Sequence, residues 1–563
     1  MKGEKIMKTR SNIFVLMLMV ALLATSCSES FLDQPPYGST LTQAQYEQLD
    51  NTLEGSVRGI YSMMYVVSDH DLFGQRGIDL ATDLLSGDIA LTAYTYGWFY
   101  VDEQGQTAVY RTGYVWNYYY GMLRNINKVI NIANVQSDIM KRVAEFGLPN
   151  TYNEKDEVYY TIVDGDTLTT YSLLEADIAG YYAQALTMRA YCYSNLINLY
   201  ARTNTQLRGA WEDEVVCPIY NENNLEDAQP VATLKEAYRQ VESDLTLAIS
   251  YFDAFAETYT RESKLMVDGS VARGLLAYSY LNKAVPSLPS GRGNYESALK
   301  YAKEVIDSGD YKIISNDNVL TTGFNNVSDN SWMWGQDVTT ETAGGLASFF
   351  GQVDIHSYSY AWAGDTKVID ENLHKEIPEY DIRKKWFNDG TKNATFKLCP
   401  DGKFFSAKNP ISTADADIDR EWLSDNVFMR IESMYLIAAE ASYRIQDYNG
   451  AVDYLRAITD QRVDTTATAA TEYAAYVASL DAANLLAQIE YNWRVEMWGE
   501  GYALQTFRRL SPETVQGVDG RKRGGNHAYD AGAAMDANAS KFTFQIPSSE
   551  ISYNPHYGTK LPE

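Results

Sequence analysis

Tyr94, Tyr96, Trp98 and Tyr100 recur at every second position, with Phe99 interposed. In an extended segment, alternate side chains lie on one side, so this spacing lines rings up on a single face. Thr92, Thr95 and Gly97 leave little apolar surface opposite them, which favours an exposed platform over a core strand. Aromatic platforms on a surface mark interaction sites. Such rings stack on the C–H faces of sugars, while amide, carboxylate or guanidinium groups take the hydroxyls. Asp102, Gln104 and Arg111 stand close by in sequence for that second task. Two further aromatic runs alternate in the same way: Trp332-Met333-Trp334, and His356-Ser357-Tyr358-Ser359-Tyr360-Ala361-Trp362. Each reads equally as a ligand-facing segment or as an edge strand buried against helices. The candidate ligand-binding residues are therefore Tyr94, Tyr96, Trp98, Phe99, Trp332, Trp334, Tyr358, Tyr360 and Trp362. The chain holds 44 Tyr, more than its 18 Phe and 10 Trp together, so tyrosine stacking is available in quantity.

Signals for catalysis fail in turn. The five histidines (His70, His356, His374, His527, His556) form no H-E-x-x-H and no close pair for zinc. There is no G-x-S-x-G elbow for a hydrolase. Asp415, Asp417 and Asp419 imitate the start of a calcium loop, but Arg420 replaces its glycine and Asn426 its terminal glutamate, leaving a weak candidate. No cofactor-binding motif is present and no cofactor is expected.

The N-terminus carries a leader pattern. Lys2, Lys5, Lys8 and Arg10 precede the apolar run Ile13–Leu23, then Ala24-Thr25-Ser26 and Cys27. That apolar run spans roughly 16 Å as a helix, half of a bilayer core, so it is a signal rather than a membrane span. Residues 1–26 read as a lipoprotein signal peptide and Cys27 as the lipidated first mature residue, tethered by acyl chains. The formal net charge is −27; removing the leader makes it about −30, which excludes nucleic acid as a partner and leaves anchoring to the lipid. Cys192, Cys217 and Cys399 make no disulfide framework, although a Cys217–Cys399 bridge is compatible with the sequence.

These candidates need a scaffold. Apolar residues recur at the helical period over 41–64, 115–135, 175–201, 233–253, 270–283, 295–308, 429–446, 449–462 and 483–509. Tyr295-x-x-Ala298-x-x-Tyr301 and Tyr448-x-x-Ala451-x-x-Tyr454 repeat one spacing, each just after another helix. Small residues at fixed positions let helices approach closely, the logic of tetratricopeptide-type pairs. The fold expected is mainly α: a degenerate helix-pair scaffold over about 40–310 and 429–510. Irregular insertions at 84–114 and 310–428 carry the ligand face, and further irregular stretches fall at 201–230 and 510–563. Stretches this long must include short strands of their own.

Ordered fragments along the chain resemble the SusD/RagB family of Bacteroidetes outer-membrane lipoproteins. They begin with Phe31-Leu32-Asp33-Gln34-Pro35, Arg58-Gly59-Ile60-Tyr61 and Asp83-Leu84-Leu85-Ser86-Gly87-Asp88. Trp116-x-x-Tyr119-Tyr120, Ala185-Leu186-x-x-Arg189-Ala190-Tyr191 and Asp381-x-Arg383-Lys384 follow. Arg430-x-Glu432-x-Met434-Tyr435, Arg494-Val495-Glu496-Met497-Trp498-Gly499-Glu500-Gly501 and Ile546-Pro547 complete the set. The resemblance implies one SusD-like body over 27–563 on the cell surface that captures oligo- or polysaccharide and delivers it to a SusC-like TonB-dependent transporter, without being an enzyme. The same architecture binding peptides or another non-sugar nutrient is the alternative, with a surface glycan hydrolase behind it. Arg430, Glu432 and Glu440 share a helix with an apolar face, a pattern of buried ion pairs that fix packing rather than of a reactive site.

Overall fold

The computed structural model describes residues 49–104, 109–136, 138–203, 207, 211–391, 394–404, 422–514 and 520–559. Cys27, the leader and the Asp415, Asp417, Asp419 motif lie outside the described residues. The helices used below are α1 (Leu49–Ser62), α2 (Gly74–Ser86), α3 (Val109–Gln136), α4 (Leu173–Tyr200), α5 (Leu234–Ala254), α6 (Gly269–Lys283), α7 (Pro289–Ser308), α8 (Ile431–Arg444), α9 (Tyr448–Thr459), α10 (Leu485–Glu496) and α11 (Ala503–Thr514).

The scaffold is mainly helical, and from α3 onward each helix packs on the next: α3 on α4, α4 on α5, and so through to α9. Residues 309–430 intervene between α7 and α8, yet those two helices still pack directly. Two starts are set by local chemistry. Ser172 caps α4 and Thr233 caps α5, each in a reciprocal box with the glutamate three residues on, Glu175 and Glu236. Such boxes satisfy two otherwise orphaned backbone donors. Helix α4 is apolar round most of its circumference and buried along most of its length, as a central helix must be. The repeated tyrosine spacing has a packing counterpart. Tyr280 stacks on Tyr301 at 6.1 Å, and Tyr435 meets Tyr454 at 6.4 Å, while Ala298 and Ala451 are fully buried at the close approaches.

The segment 483–509, expected as one helix, is two. Helix α10 stops at Glu496 and α11 starts at Ala503 because Gly499 and Gly501 take φ of 76° and 84°. A Cβ on Gly501 would lie 2.6 Å from Asp79 Oδ1. The insertion at 84–114 is also more regular than expected, holding the end of α2 and the start of α3. Short strands do occur in the long insertion. Two pairings matter here: β1 (Ile89–Leu91, in the 84–114 insertion) pairs antiparallel with β3 (Lys367–Ile369), and β2 (Trp332–Gln336) with β4 (Asn426–Arg430). The remaining sheets are small, the largest three-stranded over 151–171. Cys192, Cys217 and Cys399 are free and buried, so the Cys217–Cys399 bridge is not formed. Burial pushes the thiols of Cys217 and Cys399 up to about 12.

Around the α10–α11 turn, four cations and four carboxylates are buried together. Arg430 pairs with Glu432 (3.0 Å), Glu496 (2.9 Å) and Glu500 (2.9 Å). Arg462 pairs with Glu432 and Glu496, Arg383 with Asp381 and Glu496, and Lys403 with Glu500. Balance is what makes such burial tolerable, since an unpaired ion in a dry interior costs several kcal/mol. Three guanidinium groups hold the Glu496 carboxyl well below its ordinary range despite its burial. Glu440, two turns along α8, is held separately by Arg509 and by Trp493 Nε1.

Two outcomes follow from this interior. Arg430→Met leaves three cations against four carboxylates and is expected to destabilise the protein by about 3–5 kcal/mol, read from the urea midpoint. An unchanged midpoint would show that the network does not hold the fold. Asp83 is buried beside Asp79 and Asp88, and burial raises its pKa from 3.8 to about 8 although Gly501 and Ala503 donate backbone N–H groups to it. A raised folded-state pKa stabilises the protonated protein, so this contribution declines as pH climbs from 3.8 through about 8. Asp83→Asn is therefore expected to flatten the fall in melting temperature between pH 5 and pH 8.

Candidate functional site

The aromatic candidates divide on burial. Trp332 and Trp334 belong to β2 and are fully buried, with their indole N–H groups donated to Gly323 O and Leu265 O at 2.7 Å each. Pairing with β4 places this strand inside, against Tyr191 and Phe428. They are core residues, and their alternation reported a covered strand rather than a ligand face. Phe99 is also fully buried. It sits at φ 64°, and this left-handed turn drives its ring inward while its neighbours turn outward.

Of the other six candidates, Tyr96, Trp98 and Tyr360 meet, while Tyr94, Tyr358 and Trp362 stand exposed on the same two loops. The β1–β3 pairing is responsible, because it lays the loop after β1 beside the loop before β3. Thr92 N–H donates to Thr366 O (3.1 Å) and Thr95 Oγ to Gly364 O (3.2 Å), continuing the register outward. Tyr96 and Tyr360 then pack edge to face at 5.2 Å, and Trp98 and Tyr360 at 6.2 Å. Tyr94 packs on Tyr100 at 6.2 Å, and Tyr358 on Trp362 at 5.7 Å. Exposure is 48% for Tyr96, 57% for Tyr358 and 41% for Trp362, too much for core residues and unusual for rings of this size. Trp98 and Tyr360 are half-buried and serve as the floor.

One member was not legible as a site residue. His70, at the tip of a two-stranded turn, stacks on Trp98 at 5.3 Å and shares a 2.9 Å hydrogen bond between Nδ1 and the Tyr360 hydroxyl. Its only signal in sequence is that Ser68-Asp69-His70-Asp71 reads as a tight polar turn. Gln352, fully buried, fixes that turn by donating to His70 O.

Under the patch the charges are spent on the scaffold. Arg111 bonds Asp71 and Asp102 and lies 5.1 Å from the Phe99 ring centre; Lys367 bonds Asp365 and lies 5.7 Å from the same ring. Asp102 and Arg111, read as hydroxyl-binding partners, are thus buried against each other, and burial lifts the Asp102 carboxyl to about 6. The loop 354–366 is laced from inside: Asp354 accepts from Ser357 Oγ and Trp422 Nε1, and Tyr360 N–H donates to Gly351 O. The result is a set of presented rings on a fixed base, suited to stacking against a flat, weakly polar ligand surface.

A SusD family model matches residues 307–559. No curated protein sequence matches the chain. Among solved structures, a SusD-like carbohydrate binding protein from Bacteroides vulgatus superposes with a TM-score of 0.66 at 19% identity, covering 91% of this chain and 98% of its own. A SusD superfamily protein from Bacteroides thetaiotaomicron gives 0.64 at 18%, covering 90% and 98%. The surface glycan-binding protein A from Bacteroides uniformis gives 0.56 at 13%, covering 90% and 98%. The chain thus carries the SusD family pattern over residues 307–559 and a SusD-like fold over nine-tenths of its length.

Proposed function

We propose that this chain is a cell-surface binding protein that captures an oligo- or polysaccharide on the patch formed by Tyr94, Tyr96, Trp98, Tyr358, Tyr360 and Trp362. The observation that carries this reading is the exposure of large rings on loops pinned by hydrogen bonds from beneath. A hydrophobic core would bury such rings, and a mobile loop would lose entropy on binding that a pinned one does not. Stacking on sugar C–H faces gives modest affinity with ready release, which suits handing the ligand on rather than reacting with it. The carbohydrate- and glycan-binding descriptions of two proteins with this fold support the same ligand class.

In this reading Cys27 carries the lipid that holds the body at the outer membrane, and a SusC-like TonB-dependent transporter receives the ligand. No helix among the described residues is long and apolar enough to cross a membrane, so membrane attachment through a lipid is consistent with the body.

The test is a glycan array with residues 28–563, followed by calorimetry on each hit. Trp98→Ala and Tyr96→Ala are each expected to weaken binding at least tenfold, about 1.4 kcal/mol, while leaving the unfolding midpoint within about 0.5 kcal/mol for the exposed Tyr96. Phe99→Ala is expected to behave oppositely, costing about 3–5 kcal/mol of stability because it empties a core position. Silence across the array would overturn the glycan reading in favour of a peptide or other non-sugar nutrient. Release of reducing ends from a bound polysaccharide would overturn the non-enzymatic one.

A further inference from the structure

The segments that build the patch contain almost no accessible positive charge. Residues 66–73 hold no lysine or arginine, nor do residues 92–104. Residues 354–367 hold one, Lys367, which is fully buried and bonded to Asp365. The loop 524–533, which donates Ala528 N–H to Leu91 O at the end of β1, also has none. Arg111, the other cation close under the rings, is buried between Asp71 and Asp102. The charge at the surface is of the other sign: Asp69, next to His70, is exposed, with Oδ1 accepting its neighbour's N–H. His70 Nδ1 is engaged with the Tyr360 hydroxyl, and His356 Nε2 with Asp401 at 2.8 Å.

Resting on the glycan reading above, we infer that the patch selects uncharged saccharides and rejects uronic-acid and sulfated ones. An anionic group brought onto these rings would be partly desolvated, and these segments offer no accessible guanidinium or ammonium among the described residues to receive it. Asp69 would repel it at close range, and the strongly negative net charge would oppose its approach at low salt. Discrimination by an absent partner and a repulsive neighbour is as effective as a better fit to the right ligand. Neutral saccharides lose nothing, since stacking and hydroxyl-to-hydroxyl hydrogen bonds need no formal charge.

The experiment pairs neutral and anionic polysaccharides on one array: xyloglucan, galactomannan, arabinan and starch against homogalacturonan, alginate and chondroitin sulfate. The folded 28–563 protein is used at 50 mM and 300 mM NaCl, with Trp98→Ala and Asp69→Lys alongside. The expected result is binding confined to neutral polysaccharides, abolished by Trp98→Ala and unchanged by salt. Asp69→Lys is expected to gain binding to an anionic polysaccharide at 50 mM NaCl by tenfold or more while keeping its folded circular dichroism. An anionic polysaccharide bound by the unmodified protein and lost in Trp98→Ala would overturn the charge inference and leave the glycan reading standing. Binding of any polysaccharide that Trp98→Ala does not weaken would remove the patch from the ligand site and overturn the charge inference. No binding to either class would overturn the glycan reading and this inference together.

Discussion

Glu496 is the point at which the scaffold is tied. It ends α10, and its two carboxylate oxygens are reached by guanidinium groups from three distant parts of the chain: Arg383, Arg430 and Arg462. The backbone must then reverse at once, which Gly499 and Gly501 permit, and Glu500 returns to the same cluster through Arg430 and Lys403. A charge buried this deeply tolerates no approximate geometry, because every lost partner leaves an ion in a dry interior. The turn therefore fixes where the insertion 310–428 meets the helices on either side of it.

From that turn a short chain of contacts leads outward. Trp498 Nε1 and Asp370 N both donate to Asp88 O, and the Asp88 carboxylate holds Arg494 and Arg521. Asp88 immediately precedes β1, and Asp370 immediately follows β3. The buried cluster thus registers the root of the two strands whose far ends carry the rings. The charged fragments around Arg430 and Glu496, read from the sequence as packing ion pairs, do bind each other, and the rings lie outside those motifs.

What the sequence revealed follows from which interactions are local. Helical periods, capping boxes and the Tyr-x-x-Ala-x-x-Tyr spacing depend on neighbours within a few residues, and apart from 483–509, which is two helices, the corresponding helices stand close to the expected limits. The ion pairs of Arg430, Glu432 and Glu440 were legible because charges on an apolar helix face need partners. Trp332 and Trp334 were ambiguous for a physical reason, since period-two aromatics look the same whether the covering layer is a ligand or α4 and β4. Phe99 was misplaced because one residue at positive φ reverses the side to which a ring points. His70 reaches the patch through tertiary contacts with Trp98 and with Tyr360, the latter 290 positions away, which no local pattern encodes.

The pairing of β1 with β3 also has a temporal side. Ile89 and Ile369 are partners, so the closing contact spans about half of the 563-residue chain and carries a large loop-closure entropy. The helices can form from nearby residues, but the aromatic face has no counterpart in any fragment of the chain. Until residues 356–369 are in place, Tyr94, Tyr96 and Trp98 lack the segment that organises them. During that interval the same rings that serve the finished surface are adhesive and unpaired. Their polar spacing, with threonine and glycine between the aromatics, keeps the unfinished loop from being a continuous apolar strand and so lowers its tendency to associate before it is complete.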